Sequence, residues 1–266
     1  MSHVISIQAF SDNYIWLVCD DKKKFAMIID PGDGAIVIRT LKKLSIQPIG
    51  ILITHFHSDH TAGIKDIIDV YPTIPVYGPV NENIPYVTNK LSGNELIEVD
   101  ELELTFKVIN TFGHTAGHIS YYTVNKTESG KLFCGDTLFG SGCGRVFGGT
   151  ILDLHNSVQI ISKLPQDTLI YCAHEYTLDN LNFAKWVEPN NKAIYEREIK
   201  DNLLVEMGRP TVPFLLSLEL ETNPFMRVNR DHVISRVEQV IGKSLESSVD
   251  VFASMRTWKD NVFDSL

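Results

Sequence analysis

The stretch Ile49-Gly50-Ile51-Leu52-Ile53-Thr54-His55-Phe56-His57-Ser58-Asp59-His60 decides how the rest of the chain is read. Ile49–Ile53 is a short apolar run that reads as a buried strand. It empties into H-x-H-x-D-H, four ligand-type residues within six positions. The two His at i and i+2 point the same way from an extended strand end, and Asp59 and His60 come round the following turn to a second position. One loop thus feeds two metal positions. An amphipathic helical pattern then runs from Thr61 to Val70.

Outward from this loop, further ligand types recur wherever a strand pattern stops. His114 lies in Gly113-His114-Thr115-Ala116-Gly117-His118, where small neighbours let backbone approach a metal. Asp136 follows the strand pattern Leu132–Cys134, and His174 follows Thr168–Ala173. The charge chemistry is consistent. Three neutral His (His55, His57, His114) suit one dication; Asp59, His60 and His174 suit the other; Asp136 and a water-derived hydroxide lie between, leaving roughly +1 at the site. Imidazole and carboxylate without thiolate favour two divalent ions, zinc first, with iron or manganese also tolerated. Such a centre lowers the pKa of water and polarises a carbonyl, so the expected reaction is hydrolysis of a carbonyl or phosphate ester. A lone His is more often a hydrogen-bonded core residue, and that reading is kept for His3, His155 and His232. His118 is read as a structural hydrogen-bond partner in its turn, with orientation of a ligand as the alternative.

The chain has 266 residues, 44% hydrophobic and 21% charged, the profile of a globular protein. Its net charge of −9 and lack of a long Lys/Arg run argue against nucleic acid or an anionic membrane surface as partner. Four Cys without a C-x-x-C pair, no signal-peptide pattern and no membrane-length apolar stretch predict a cytoplasmic protein with reduced thiols. Strand patterns at Val4–Ala9, Tyr14–Cys19, Phe25–Asp30, Leu102–Val108 and Tyr121–Val124 interleave with helical ones at Ala35–Leu44 and Leu152–Leu164. After residue 175 the patterns become helical over Leu178–Val187, Lys192–Met207, Asp231–Ile241 and Ser247–Val262, with a Pro- and Thr-rich loop at Arg209–Pro224. A domain boundary is expected near 175, giving a catalytic domain over 1–174 and a helical substrate-binding domain over 175–266. Ser141 is not in G-x-S-x-G, Gly140–Arg145 lacks the G-K-[ST] of a phosphate loop, and His174-Glu175 is not H-E-x-x-H.

The T-H-x-H-x-D-H motif with its downstream His, Asp and His resembles the metallo-β-lactamase superfamily, which implies a four-layer αβ/βα sandwich of α/β class followed here by a small helical domain. Within it, Gly142-Cys143-Gly144-Arg145, His174-Glu175-Tyr176-Thr177, Asn180-Leu181, Glu188-Pro189-Asn190, Thr222-Asn223-Pro224-Phe225 and Arg256-x-x-Lys259-Asp260 resemble the glyoxalase II family over essentially the whole chain. That resemblance implies hydrolysis of S-D-lactoylglutathione to D-lactate and glutathione, the second step of methylglyoxal detoxification, by a monomeric enzyme. By position, it implies metal ligation by the seven residues named above, with Asp59 and Asp136 catalytic. It also implies a glutathione pocket of Arg145, Phe147, Tyr176, Arg256 and Lys259. Some members carry Lys and Tyr where this chain has Arg145 and Phe147; Arg keeps the cation, while Phe loses a hydroxyl donor. Alternatives within the superfamily are a lactonase or β-lactamase, a persulfide dioxygenase or di-iron reductase, and a non-catalytic metal-binding module.

Overall fold

The computed structural model describes residues 2–124 and 128–263. The chain forms two compact units: one takes the chain up to Asn110 together with Ala116–Gly135, the other takes Thr111–Thr115 and the chain from Asp136 onward.

In the first unit, β1 (His3–Ala9), β2 (Asn13–Cys19) and β3 (Phe25–Ile29) pair antiparallel, and β3 continues in parallel register to β4 (Gln47–Leu52), β5 (Val76–Pro79) and β6 (Asn89–Leu91). The parallel step from β3 to β4 needs a crossover, which α1 (Gly34–Leu44) supplies. Asp33 caps α1 by accepting the Ile36 N–H, and Lys42 and Lys43 complement the dipole in its last turn. Val37 and Leu41 of α1 and Ile64 and Ile67 of α3 (Ile64–Val70) join Leu17, Ile28, Ile51 and Ile53 in one core. Every residue of β2 is buried, as in a strand covered on both faces. Each Leu or Ile in this layer contributes about 1.5–3 kcal/mol, and Ile51→Ala costs about 2–5 kcal/mol through the cavity it leaves.

The helix expected from Thr61 to Val70 is instead two. A short α2 (Ser58–Thr61) ends before Gly63, whose N–H donates to Pro31 O at 2.9 Å. A Cβ at Gly63 would lie 2.2 Å from Gly34 N and 2.4 Å from Pro31 O, so this backbone crossing admits only glycine. The break leaves Asp59 and His60 on a turn of their own. The same unit carries a second, antiparallel set, β7 (Leu96–Val99), β8 (Leu104–Asn110), β9 (Ile119–Val124) and β10 (Lys131–Gly135), paired in that order. Leu104, Phe106 and Val108 alternate inward along β8 as expected, while Leu102 falls in a 3-10 turn before it. Tyr121 Oη donates to Ile53 O at 2.7 Å and Ile119 N–H to Thr54 O at 3.0 Å, pinning the end of β4 where the His-rich loop begins.

In the second unit, β11 (Leu138–Phe139) and β12 (Gly142–Cys143) form a tight hairpin, followed by α4 (Ile151–Ile161), β13 (Leu169–Cys172), α5 (Thr177–Val187) and α6 (Lys192–Glu206). The segment expected as a loop at 209–224 contains β14 (Phe214–Leu215), paired with β13, and α7 (Leu216–Thr222); α8 (Asp231–Ile241) and α9 (Ser248–Asn261) complete the chain. The α7 helix supplies one partner of a buried ion pair. Arg197, 2% exposed, donates from Nη1 to Glu219 and Thr222 Oγ1, and fully buried Glu219 accepts the Ser141 N–H at 3.0 Å. That bond holds the β11–β12 turn, where Ser141 has φ +58°. Removing one partner would strand a buried charge at about 3–5 kcal/mol. Among the described residues no helix is long and apolar enough to cross a membrane.

Candidate functional site

Four of the sequence-predicted donors lie in the first unit. His55 and His57 leave the end of β4 with His55 Nε2 2.9 Å from His57 Nδ1. His60 Nε2 lies 3.4 Å from Asp59 Oδ2. A buried network sets which nitrogen each ring presents. Asp30, 3% exposed and held at φ +51°, accepts the Thr54 N–H at 2.8 Å and the Thr54 hydroxyl at 2.7 Å, and its Oδ2 faces His60 Nδ1 at 3.1 Å. Having given its proton to Asp30, Thr54 Oγ1 accepts from His55 Nδ1 at 3.0 Å. Both rings are thereby protonated at Nδ1 and present Nε2 as a lone pair. Asn13 Nδ2 donates to Asp59 Oδ2 at 2.9 Å. A Cβ at Gly32 would fall 1.8 Å from Asp59 O, so the Asp30-Pro31-Gly32 turn presses directly on the ligand loop.

The other three donors meet in the second unit. The two oxygens of Asp136 face different imidazoles, Oδ2 at 3.4 Å from His114 Nε2 and Oδ1 at 3.4 Å from His174 Nε2. His114 Nδ1 donates to Arg145 O at 2.8 Å, which again directs Nε2 inward. These N···O separations are long for hydrogen bonds, and they match the ~3.4 Å edge of a tetrahedron with ligand distances of about 2.1 Å. A donor set of imidazole nitrogens, with Nε2 left unprotonated on His55, His60 and His114, and a carboxylate offering one oxygen to each side fits divalent cations.

Around His114 and Asp136 the second unit opens a cavity of about 600 Å³, lined also by Arg145, Phe147, Tyr176, Arg256 and Lys259. All five sequence-predicted pocket residues therefore share one cavity. Tyr176 stacks on His174 at 4.8 Å with the ring planes 5° apart, and Phe147 meets His114 edge-on. Arg256 and Lys259 share a face of α9, as their spacing predicts. Arg256 Nη1 donates to Cys143 O at 3.1 Å, and its Nε and Nη2 both reach Asp260 Oδ1. Burial works against the Arg256 charge, but the neighbouring Cys143 and Asp260 outweigh it and hold its pKa above the ordinary value. Burial pushes the Cys143 thiol up to about 11, against the pull of Arg256, so it stays protonated.

Of the three His expected as core residues only His155 is buried; His3 and His232 are exposed, each beside a carboxylate. His155 packs edge-on against Phe252, with burial lowering its pKa; His232 Nε2 meets Glu188; His3 pairs with Asp21 near the surface. His118 stacks on His55 at 4.9 Å. Asp30, Thr54 and Asn13 escaped sequence reasoning. The one signal among them is that Asp30 too ends a strand pattern, Phe25–Asp30.

Residues 10–174 match the metallo-beta-lactamase superfamily and residues 175–262 match the hydroxyacylglutathione hydrolase C-terminus. The chain is 44% identical over 261 residues to the hydroxyacylglutathione hydrolase of Nitrosomonas eutropha, covering 98% of this chain and 99% of that one. The corresponding protein of Nitrosomonas europaea is 43% identical, covering 98% and 97%. Among solved structures, ETHE1 from Myxococcus xanthus aligns at a TM-score of 0.64 with 22% identity over 97% of each chain, which shows the shared metallo-β-lactamase fold. With donors of the type this fold uses and a family match that reaches through the C-terminal helices, the chain belongs to the hydroxyacylglutathione hydrolase (glyoxalase II) family.

Proposed function

We propose that this chain hydrolyses S-D-lactoylglutathione and related 2-hydroxyacyl-glutathione thioesters to glutathione and the hydroxy acid, the second step of methylglyoxal detoxification. One observation carries the reading: a single cavity is lined by metal-type donors, His114 and Asp136, and by three cations, Arg145, Arg256 and Lys259. Hydrolytic donors beside an anion-binding wall suit a thioester whose far end bears carboxylates.

His55, His57 and His114 would hold one divalent ion, and Asp59, His60 and His174 the other, with Asp136 offering an oxygen to each; zinc is the first choice on ligand type. When bound, the pair of cations lowers the pKa of water and polarises the thioester carbonyl. The chain's own residues do the rest. The Asp30–Thr54–His55 chain and the Arg145 carbonyl keep the His55 and His114 rings in the Nε2-ligand tautomer. Asp59, whose Oδ2 is held by Asn13, would take up a proton. Arg256 and Lys259 receive the glycine carboxylate of glutathione, and Arg145 adds a third cation. The leaving thiol has a pKa of about 8.5, so its anion departs with little proton donation. The Tyr176 hydroxyl remains available to the substrate, while Phe147 offers only a ring. Residues 175–266 serve as the substrate-binding domain of a monomeric enzyme, and a cytoplasmic location agrees with four buried cysteines outside any disulfide.

The deciding experiment purifies the protein, counts metals, and compares hydrolysis of lactoylglutathione, a β-lactam and a lactone. Preferred thioester hydrolysis is expected; equal or absent thioester activity defeats the reading. In Asp136→Ala, metal content and activity should fall together.

A further inference from the structure

Among the described residues the cavity contains one acidic side chain besides Asp136. Asp179 lies in the first turn of α5, is exposed, and lines the same cavity as Arg145, Arg256 and Lys259. No hydrogen bond or ion pair engages its carboxylate among the described residues. In a cavity whose other wall is cationic, an unengaged carboxylate weakens attraction for an anion unless the ligand also brings a positive group. A glutathione thioester brings one: two carboxylates, at the glycine and γ-glutamyl ends, and one ammonium on the γ-glutamyl residue. With the glycine carboxylate on Arg256 and Lys259 and the thioester at His114 and Asp136, the ammonium needs an acceptor-only group. Among the described residues Asp179 is the one lining carboxylate left for it.

Resting on the glutathione-thioester reading above, we propose that Asp179 recognises the γ-glutamyl ammonium and selects for thioesters that carry a free amine at that end. The competing explanation is local: an acid in the first turn of a helix stabilises that helix through its dipole. The two differ in what they move. A dipole role changes thermal stability and leaves KM alone, whereas an ammonium-binding role changes KM for one class of substrate only.

The test measures kcat and KM of the metal-loaded wild-type protein and Asp179→Asn on lactoylglutathione and on its N-acetyl derivative, which lacks the ammonium; melting temperatures and metal content are measured alongside. A carboxylate–ammonium contact at a partly solvated wall predicts a KM for lactoylglutathione raised about two- to five-fold in Asp179→Asn with kcat unchanged. The N-acetyl substrate should have a KM already raised in the wild type and unmoved by the substitution. An unchanged or lowered KM for lactoylglutathione, or an equal rise for both substrates, overturns the proposal while leaving the hydrolase reading intact. Wild-type protein inactive on both thioesters overturns the two together.

Discussion

Lys259→Met tests the proposed anion-binding wall of the cavity. Lys259 is only 7% exposed, and its ammonium sits over the rings of Phe263 at 5.3 Å and Phe183 at 5.9 Å. Methionine keeps an unbranched apolar stem for that packing and removes the charge. Arg256 would be a poorer target, because it also ties Cys143 O to Asp260 and its loss would release the β11–β12 hairpin. A carboxylate about 4 Å from the ammonium gains about 4 kcal/mol at an effective dielectric near 20, and desolvation takes back part of it. Hydrogen bonds to charged groups net about 1.5–3 kcal/mol, so kcat/KM for lactoylglutathione should fall about 10- to 150-fold. The loss should appear in KM, since the glycine carboxylate is remote from the reacting carbonyl and is held equally in ground and transition states. Initial rates of thiol release give both constants, and a thioester without glutathione serves as control, with KM unchanged. A KM within two-fold of wild type, or a loss confined to kcat, would refute the placement of the carboxylate on this wall.

Other expectations follow from single contacts. A methyl at Gly144 would lie 2.0 Å from Asp136 O and 3.1 Å from His114 Nδ1, so Gly144→Ala should lower kcat/KM by about ten-fold or more while circular dichroism shows a folded protein. Glu128 is partly desolvated, which raises its pKa, but Lys131 Nζ at 2.6 Å and the Ser2 N–H at 2.9 Å outweigh burial and lower it from 4.5 to about 2. The folded-state pKa is depressed, so its stabilisation is full above about pH 4.5 and lost as pH falls toward 2. Melting curves of Glu128→Gln should therefore lie below wild type at neutral pH and converge with it in that acid window. All four thiols are buried, and Cys143 and Cys19 titrate near 11, so alkylation at pH 8 should label none of them until the protein is denatured; fast labelling of native Cys143 would contradict its burial beside Arg256.

The metal-type donors were legible because each is a ligand residue standing where a strand pattern ends, and two spacings, H-x-H and D-H, place neighbours on one turn. The residues that orient them were not. Thr54 finds Asp30 across 24 positions, His60 finds it across 30, and Asn13 finds Asp59 across 46, so these pairings exist only once β2, β3 and β4 lie side by side. The fold divides along the same line. Long apolar runs such as Tyr14–Cys19 and Ile49–Ile53 carry enough residues to show their period, whereas β11, β12 and β14 have two residues each and show none. The seven-residue α7 hides among the Pro and Thr of 209–224 because what specifies it is the buried Arg197–Glu219 pair, again a partnership across distant chain. Gly63 splits the expected helix for a reason outside the helix, the backbone of Pro31 and Gly34 against it.

A chain of net charge −9 can still hold an anionic thioester because charge acts locally through a Debye length of about 10 Å at 0.1 M salt. Within the cavity region, Arg145, Arg256 and Lys259 stand against the carboxylates of Asp179 and Asp260. Asp260 is shared, accepting from Arg256 Nη2 at 2.7 Å and lying 3.3 Å from Arg145 Nε. With Asp136 counted as well, three cations face three carboxylates, so a thioester bearing two carboxylates and one ammonium is favoured by where the cations stand and not by a net charge. The cations are unequal, however. The Arg145 side chain is 51% exposed and its attraction is screened by salt, whereas Arg256 and Lys259 are buried and keep most of theirs. Under the proposed placement of the glycine carboxylate, specificity on this wall rests on the two buried cations of α9, with Arg145 acting mainly to draw the anion in.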